Sequence, residues 1–292
     1  MTAVPDLRVG QGPRTISDRG FRRYQRWIHA ETGIHLTDAK RALLVGRLWR
    51  RVRDLGFDSY EAYLEHVESG DPPERVRLIN AICTHETQFF REPRQFEYLA
   101  DQLIPRWLTA ARNGTRSRTL RVWSAACSSG EEPYSVAMTL LDRLPPGEGW
   151  HTEIIATDIS TQVLERARAG IFPLSRAQNV PGEYKRRFLL KGRGEQEGRC
   201  AVGPELRDAV TFQHFNLSAA EWPAMGRFDL ILCRNVLIYF DQAGRQQVIE
   251  RLRARLAPEG HLFLGHAESL NGIPTDLKTM IPTVYSAVGA DA

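Results

Sequence analysis

The chain has 292 residues, with 39 Lys+Arg against 35 Asp+Glu for a net charge of +4, and is 42% hydrophobic and 25% charged. That composition excludes collagen-like, low-complexity and disordered classes, and at roughly 150 residues per domain the length allows one large or two moderate domains. No apolar run approaches the ~18 residues of a membrane span. Asp6, Arg8, Arg14, Asp18 and Arg19 interrupt the N-terminal segment, so a cytoplasmic chain without membrane insertion is expected.

The basic character is local. Residues 1 to 60 carry 12 Lys+Arg and 6 Asp+Glu, a local +6 that leaves −2 for the rest. Phe21, Tyr24, Trp27 and Ile28 recur at helical spacing before Gly33, and a second helix is expected from about Thr37 to Leu55. In that helix Leu44, Leu48, Val52 and Leu55 form one stripe, with Arg47, Arg50 and Arg53 projecting from the other side. Asp58 with Glu61 resembles a capping box for a third helix, and Pro72-Pro73 opens a fourth that reaches about Cys83. Residues 15 to 83 therefore read as a helical bundle, and residues 84 to 118 as a linker with a connecting helix.

From residue 119 to 288 the rhythm is strand then helix. Strands are expected at Thr119 to Trp123, Glu153 to Thr157, Val210 to Phe215, Phe228 to Cys233, Gly260 to Gly265 and Val284 to Val288. Helices are expected at Glu131 to Leu144, Thr161 to Ala169 and Gln242 to Leu256. The fold class is α/β, a doubly wound sheet with helices on both faces beside the helical bundle. Residues 171 to 209, rich in Gly and Pro, are too long for a plain connection and read as a small inserted β-subdomain.

The chemistry gathers where strands end. Ser124-Ala125-Ala126-Cys127-Ser128-Ser129-Gly130 is a run of small residues at a strand-to-helix turn, where backbone can approach a ligand. Glu131 and Glu132 follow it. They would repel a pyrophosphate, so a dinucleotide site does not fit, and the absence of Lys-Ser or Lys-Thr after the glycine excludes a P-loop. Asp158 at the tip of the second strand suits ribose hydroxyls, and the glutamates suit a cation, so S-adenosylmethionine fits the set. Glu131 and Glu132 as plain partners of the helix dipole is an equally simple reading. Asn216-Leu217 and Asn235 with Tyr239 follow two further strands at the same edge. In Thr84-His85-Glu86-Thr87-Gln88-Phe89-Phe90-Arg91, the arginine could bind a carboxylate or the segment could be a hinge. Cys83, Cys127, Cys200 and Cys233 form no C-x-x-C pair, and only His261 and His266 are close among the histidines, so reduced thiols and no metal site are expected.

These segments, T-H-E-T-Q-F-F-R-E at 84 to 92, W-S-A-A-C-S-S-G-E-E-P-Y-S at 123 to 135, T-D-I-S at 157 to 160, C-R-N-V-L-I-Y-F at 233 to 240 and G-H-A-E at 265 to 268, occur in the order seen in the chemotaxis receptor methyltransferase family, CheR. The resemblance spans about residues 15 to 288. It implies an S-adenosylmethionine-dependent protein-glutamate O-methyltransferase that esterifies chemoreceptor glutamates and releases S-adenosylhomocysteine. Cofactor contacts carry over onto Thr87, Arg91, Glu131, Asp158, Asn216, Leu217, Asn235 and Val236, with Tyr239 near the transferring methyl. His85 stands where the family usually has Asn, and imidazole can supply one hydrogen bond there. Ser129 replaces a usual Thr. Arg47, Arg50, Arg51 and Arg53 are the residues expected to meet the acidic helical region of a receptor, with a solvated basic face as the plain alternative. The resemblance also implies a β-subdomain of a kind that can bind a peptide at a receptor's C-terminus, with a plain structural insertion at residues 171 to 209 as the alternative. No nucleic-acid partner is expected, because the chain lacks basic motifs interleaved with aromatics.

Overall fold

A computed structural model describes residues 15 to 287, which form two compact units divided between Thr84 and His85. The first holds α1 (Asp18–Thr32), α2 (Arg41–Asp54), α3 (Tyr60–Glu68) and α4 (Pro72–Ile82). Its core is the stripe of each helix: Phe21, Tyr24 and Ile28 from α1, Leu44, Leu48 and Val52 from α2, Tyr60, Tyr63 and Leu64 from α3, and Leu78 from α4. Leu55, expected to continue the α2 stripe, caps the helix instead and is exposed.

Capping also departs from expectation. Ser59, not Asp58, caps α3 by accepting the Ala62 N–H at 3.0 Å. Glu61 does not complete that box. It reaches the start of α1, accepting Ser17 Oγ at 2.6 Å and Ser17 N–H at 3.2 Å, while Ser17 Oγ accepts the Gly20 N–H at 3.0 Å. Gly20 makes room for this carboxylate, since a Cβ there would lie 2.0 Å from Glu61 Oε1. Arginines are drawn inward in the same way. Glu74 is buried, accepting from Arg51 Nε at 2.7 Å, Tyr63 Oη at 2.8 Å and Arg77 Nη1 at 3.1 Å. Burial would raise its carboxyl, but these donors outweigh that and hold it at about 2.

The second unit begins with α5 (Pro93–Tyr98), one π turn at Leu99–Leu103, and α6 (Ile104–Arg112). Pro105 lacks the N–H that would bond to the Asp101 carbonyl, which accounts for irregular winding at this point. There follow β1 (Thr119–Ala125), α7 (Glu131–Arg143), β2 (His151–Asp158), α8 (Thr161–Ala169), β3 (Ile171–Pro173), α9 (Gly182–Phe188), β4 (Leu189–Lys191), β5 (Arg199–Val202) and α10 (Pro204–Ala209). The chain ends with β6 (Val210–His214), β7 (Phe228–Cys233), α11 (Gln242–Ala254), β8 (Leu256–Leu264), β9 (Lys278–Ile281) and β10 (Val284–Ser286). Val288, expected in the last strand, lies outside the described residues.

The main sheet has the order β6-β2-β1-β7-β8-β10-β9, parallel except for the β9–β10 hairpin, which is antiparallel and slots β10 beside β8. Side chains alternate between two cores, as a period of two requires. Val122, Ile154, Leu230 and Phe263 face one cluster with Leu103, Trp107 and Leu140, whereas Trp123, Ile155, Ile231 and Leu262 face the other with Ile249 and Leu252. The strand β9 was not anticipated because it is an edge strand with little burial and no apolar alternation. Strand β8 is longer than Gly260 to Gly265. Pro258 and Glu259 sit at a bulge against β7, with Glu259 at φ 61°, where a proline is tolerated inside a strand. Between α8 and β6 lies the three-stranded antiparallel subdomain, ordered β3-β5-β4, with α9 folded between its strands.

His261 on β8 is buried at 5% exposure beside Tyr98, ring centroids 6.2 Å apart. Burial, reinforced by the charge of Arg106, pushes its imidazole down to about 4. The unfolded chain therefore takes up this proton first, so stability is complete above about pH 6.5 and falls as the pH drops towards 4. Replacing His261 with Leu should remove about 3 kcal/mol of that acid-side loss, read from urea unfolding at stepped pH. An unchanged slope between pH 6.5 and 4 would show that another group carries it.

Candidate functional site

The carboxyl ends of β1, β2, β6, β7 and β8 meet at one sheet edge, and the loops leaving them are built from strained backbone. Among the described residues seven non-glycine positions have positive φ, and five of them, Phe90, Glu92, Ala126, Ser128 and Asn235, fall in these motif segments. Such conformations cost about 1 to 3 kcal/mol each and persist where surrounding bonds over-determine them.

The turn after β1 is sewn to the tip of β2. Ala126 and Cys127 both donate N–H to the Thr157 carbonyl at 2.8 Å, and Ser128 N–H reaches Asp158 Oδ2 at 2.9 Å. Ser160 N–H donates to the other carboxylate oxygen at 2.9 Å. Asp158 is buried; burial pushes its carboxyl up, countered in part by the Ser160 and Ser128 amides and by the neighbouring charge of His85. Gly130, at φ 98°, lets the turn enter α7 against α8: a Cβ there would sit 3.0 Å from the Ala167 Cβ.

The two glutamates that open α7 have different fates. Glu131 is buried and accepts from Ser129 Oγ at 2.6 Å, with Arg176 Nη1 at 3.8 Å. Glu132 is taken up internally, accepting from Ser124 Oγ at 2.7 Å and pairing with Arg234 Nη1 at 3.0 Å, so it does not serve as a ligand-facing anion. Arg234, also buried, bonds through Nη2 to Glu92 at 3.0 Å and to the Arg91 carbonyl. Glu92 additionally accepts from His266 N–H at 3.0 Å and Asn235 Nδ2 at 3.3 Å. Burial pulls both carboxyls up. It prevails at Glu132, whereas at Glu92 the Arg234 charge and these donors prevail and hold the group below its ordinary value.

Asn235, at φ 57°, is fixed by Glu268. That carboxylate accepts N–H from Asn235 at 2.8 Å, Leu237 at 2.7 Å, Ile238 at 3.3 Å and Gly265 at 2.6 Å. Gly265 is required by closeness, since a Cβ would lie 2.4 Å from Asn235 Nδ2. Val236 and buried Leu217 pack in the cluster that includes Ala126 and Cys233, and Phe215 N–H bonds to the Asp158 carbonyl, which brings Asn216 to the same edge. Asn216 closes its own turn by accepting the Ser218 N–H at 2.9 Å. Tyr239 is half-buried in a single 3₁₀ turn, Leu237–Tyr239, below Asn235.

Phe89 and Phe90 anchor the 85–92 segment, packing on Phe172 and Phe96 with centroids 5.0 Å apart, and Ser128 Oγ donates to the His85 carbonyl at 3.2 Å. Thr87 and Arg91 then line a cleft of about 360 Å³ with Ser175 and Arg176. The sheet edge thus collects His85, Thr87, Arg91, Glu131, Asp158, Asn216, Leu217, Asn235, Val236 and Tyr239 on adjoining segments of one unit. The four arginines of α2 belong to the helical unit. There Arg51 is bound to Glu74, Arg47 donates to the Ile82 and Cys83 carbonyls, Arg53 pairs with Asp54 and stacks 4.5 Å over Trp49, and Arg50 is exposed. Glu92, Arg234 and Glu268 were missed as site-building residues, although all three stand inside the quoted motifs.

The donor set fits S-adenosylmethionine: buried carboxylates at Glu131 and Asp158 for cationic and hydroxyl groups, beside a turn of small residues that leaves room for a ligand at the backbone. The seven-stranded sheet with this edge defines an S-adenosylmethionine-binding α/β methyltransferase domain. Residues 85–286 match the family model described as the CheR methyltransferase SAM binding domain, and residues 19–83 match the CheR methyltransferase all-alpha domain. The chain belongs to the CheR methyltransferase family. It is 39% identical over 289 residues to chemotaxis protein methyltransferase 2 of Pseudomonas aeruginosa, covering 98% of this chain and 99% of that one. It is 41% identical over 273 residues to the chemotaxis protein methyltransferase of Escherichia coli, covering 93% and 91%. No helix of the described residues is long and apolar enough to cross a membrane.

Replacing Arg234 with Met leaves Glu92 and Glu132 buried without their counter-charge and should cost about 3 to 5 kcal/mol in urea unfolding. A loss under about 1 kcal/mol would mean that the pair is solvated or protonated without consequence.

Proposed function

We propose that this chain methylates glutamate side chains of bacterial chemoreceptors, forming carboxyl methyl esters. The reading is carried by relatives that match it over nearly their whole length and are named chemotaxis protein methyltransferases, together with the motif resemblance. S-adenosylmethionine supplies a methyl on a sulfonium sulfur, which an attacking carboxylate oxygen takes while the sulfur keeps the bonding pair. A glutamate with an ordinary value of about 4.3 is ionised at neutral pH, so no general base is needed and no proton moves. The chain's task is to position and desolvate two opposite charges that cancel, and orientation supplies roughly 7 to 11 kcal/mol.

In this reading His85, Thr87, Arg91, Glu131, Asp158, Asn216, Leu217, Asn235 and Val236 hold the cofactor, and Tyr239 orients the reacting carboxylate beside it. In the helical unit Arg50, which is exposed, and Arg53, whose partners Asp54 and Trp49 lie on its own helix, carry recognition of an acidic receptor surface, because Arg47 and Arg51 are committed to other segments of the unit. The three-stranded subdomain, with Leu190 exposed on its edge strand β4, is the surface for a receptor's C-terminal peptide.

Incubation with methyl-labelled S-adenosylmethionine and receptor-bearing membranes should place label on receptor that mild alkali releases as methanol; alkali-stable label would overturn the reading in favour of N-methylation. Tyr239→Phe should slow turnover at least tenfold, about 1.4 kcal/mol of transition-state free energy, with S-adenosylhomocysteine affinity retained in calorimetry. Unchanged turnover removes Tyr239 from the reaction. Reversing charge at Arg50 and Arg53 together should raise the receptor KM and leave cofactor affinity intact, whereas equal loss of both would indicate misfolding.

A further inference from the structure

The cleft lined by Thr87, Arg91 and Arg176 contains one guanidinium that the cofactor assignment does not use. Arg176 comes from the single turn Leu174–Ala177 at the start of the inserted subdomain. Its Nη1 donates to the Thr87 carbonyl at 2.5 Å and stands 3.8 Å from Glu131 Oε1, too long for a hydrogen bond. The side chain is 47% exposed, whereas Glu131 is buried. Arg91 is held in the same manner, with Nη1 donating to the Glu86 carbonyl at 3.0 Å. Both guanidiniums are thus anchored to the main chain of one segment by one N–H each, out of the five that each carries.

Resting on the proposed reaction, we infer that Arg176 binds the carboxylate of the incoming glutamate, and does so best after the cofactor has engaged Glu131. The reaction must seat two carboxylates, one on the amino-acid end of the cofactor and one on the target. The cleft offers two guanidiniums, and Arg91 is assigned to the first. Charge gives the order. Arg91 is bonded to the Glu86 carbonyl, and Arg176 stands 3.8 Å from the Glu131 carboxylate; when the amino-acid end of the cofactor brings its ammonium to Glu131 and its carboxylate to Arg91, the net charge of the cleft is unchanged, but Glu131 is neutralised and Arg176 alone is freed from its long-range partner. The same logic sets how Arg176 acts. Negative charge on the target disappears as the ester forms, so a guanidinium on the target's second oxygen favours the bound substrate over the transition state and favours release of the neutral product. Arg176 therefore lowers KM without raising kcat.

The test uses the full chain, a chemoreceptor cytoplasmic fragment as methyl acceptor, and Arg176→Ala and Arg176→Lys. Expected for the alanine variant are a receptor KM raised about tenfold, the size of one lost charge-assisted hydrogen bond, kcat unchanged or slightly higher, and S-adenosylhomocysteine affinity not weakened. The lysine variant should recover part of the KM. In direct binding, the wild-type chain should hold the fragment more tightly with S-adenosylhomocysteine present than without, and the alanine variant should lose that difference. An unchanged KM in the alanine variant, or a fall in kcat matched by weaker S-adenosylhomocysteine binding, would overturn the inference and make Arg176 a support of the cofactor site. Absence of alkali-labile label with wild-type chain is a separate failure, which removes the proposed reaction and this role with it.

Discussion

A single buried guanidinium ties the sheet edge together. Arg234 leaves the end of β7 and reaches Glu132 at the start of α7 and Glu92 before α5, and so pins three segments that are far apart in sequence. Two carboxylates on one cation leave a net negative charge in a dry place, which is costly unless every remaining lone pair is satisfied. The surroundings meet much of that condition: Ser124 bonds Glu132, while His266 N–H and Asn235 Nδ2 bond Glu92, and Arg234 Nε is left buried without a partner. Removing any member therefore exposes the others to desolvation without compensation, and the segments proposed to hold the cofactor lose their common reference.

Glu268 plays the complementary role for the backbone. Four N–H groups converge on its carboxylate, which allows Asn235 to hold a left-handed conformation that an Asn tolerates better than most residues. The strain in Phe90, Glu92, Ala126 and Ser128 is likewise countered by fixed partners, among them Ser135 Oγ for the Phe90 amide and Asp158 for the Ser128 amide. Preorganisation of this kind places the contact groups before a ligand arrives, which is what a reaction that depends on orientation requires.

Much of this was legible in the residues. Periodicity of two and of 3.6 located most of the strands and helices, and the run of small residues with Asp158 marked the edge, because apolar alternation and glycine turns are local signals. What could not be read depends on distant partners. The fate of Glu132 and of Arg51 is decided by Arg234 and Glu74, and no spacing along the chain shows that either charge is turned inward. Ser59 takes the cap of α3, and Glu61 is drawn away to Ser17, 44 positions earlier in the chain. Strand β9 is an edge with little burial, so it lacks the pattern by which strands announce themselves, and Pro258 hides in a bulge that only pairing with β7 makes acceptable.

The bridge from Glu61 to Ser17 reaches beyond capping. Ser17 orders the first turn of α1, yet its own hydroxyl and amide are held by a side chain from α3, 44 positions later in the chain. The leading helix thus has an entrance latch that it does not itself possess, and it gains a firm beginning only when α3 has docked. Assembly of the bundle is cooperative at its outermost turn, and a peptide cut after Gly33 would fray from the very end that looks best defined.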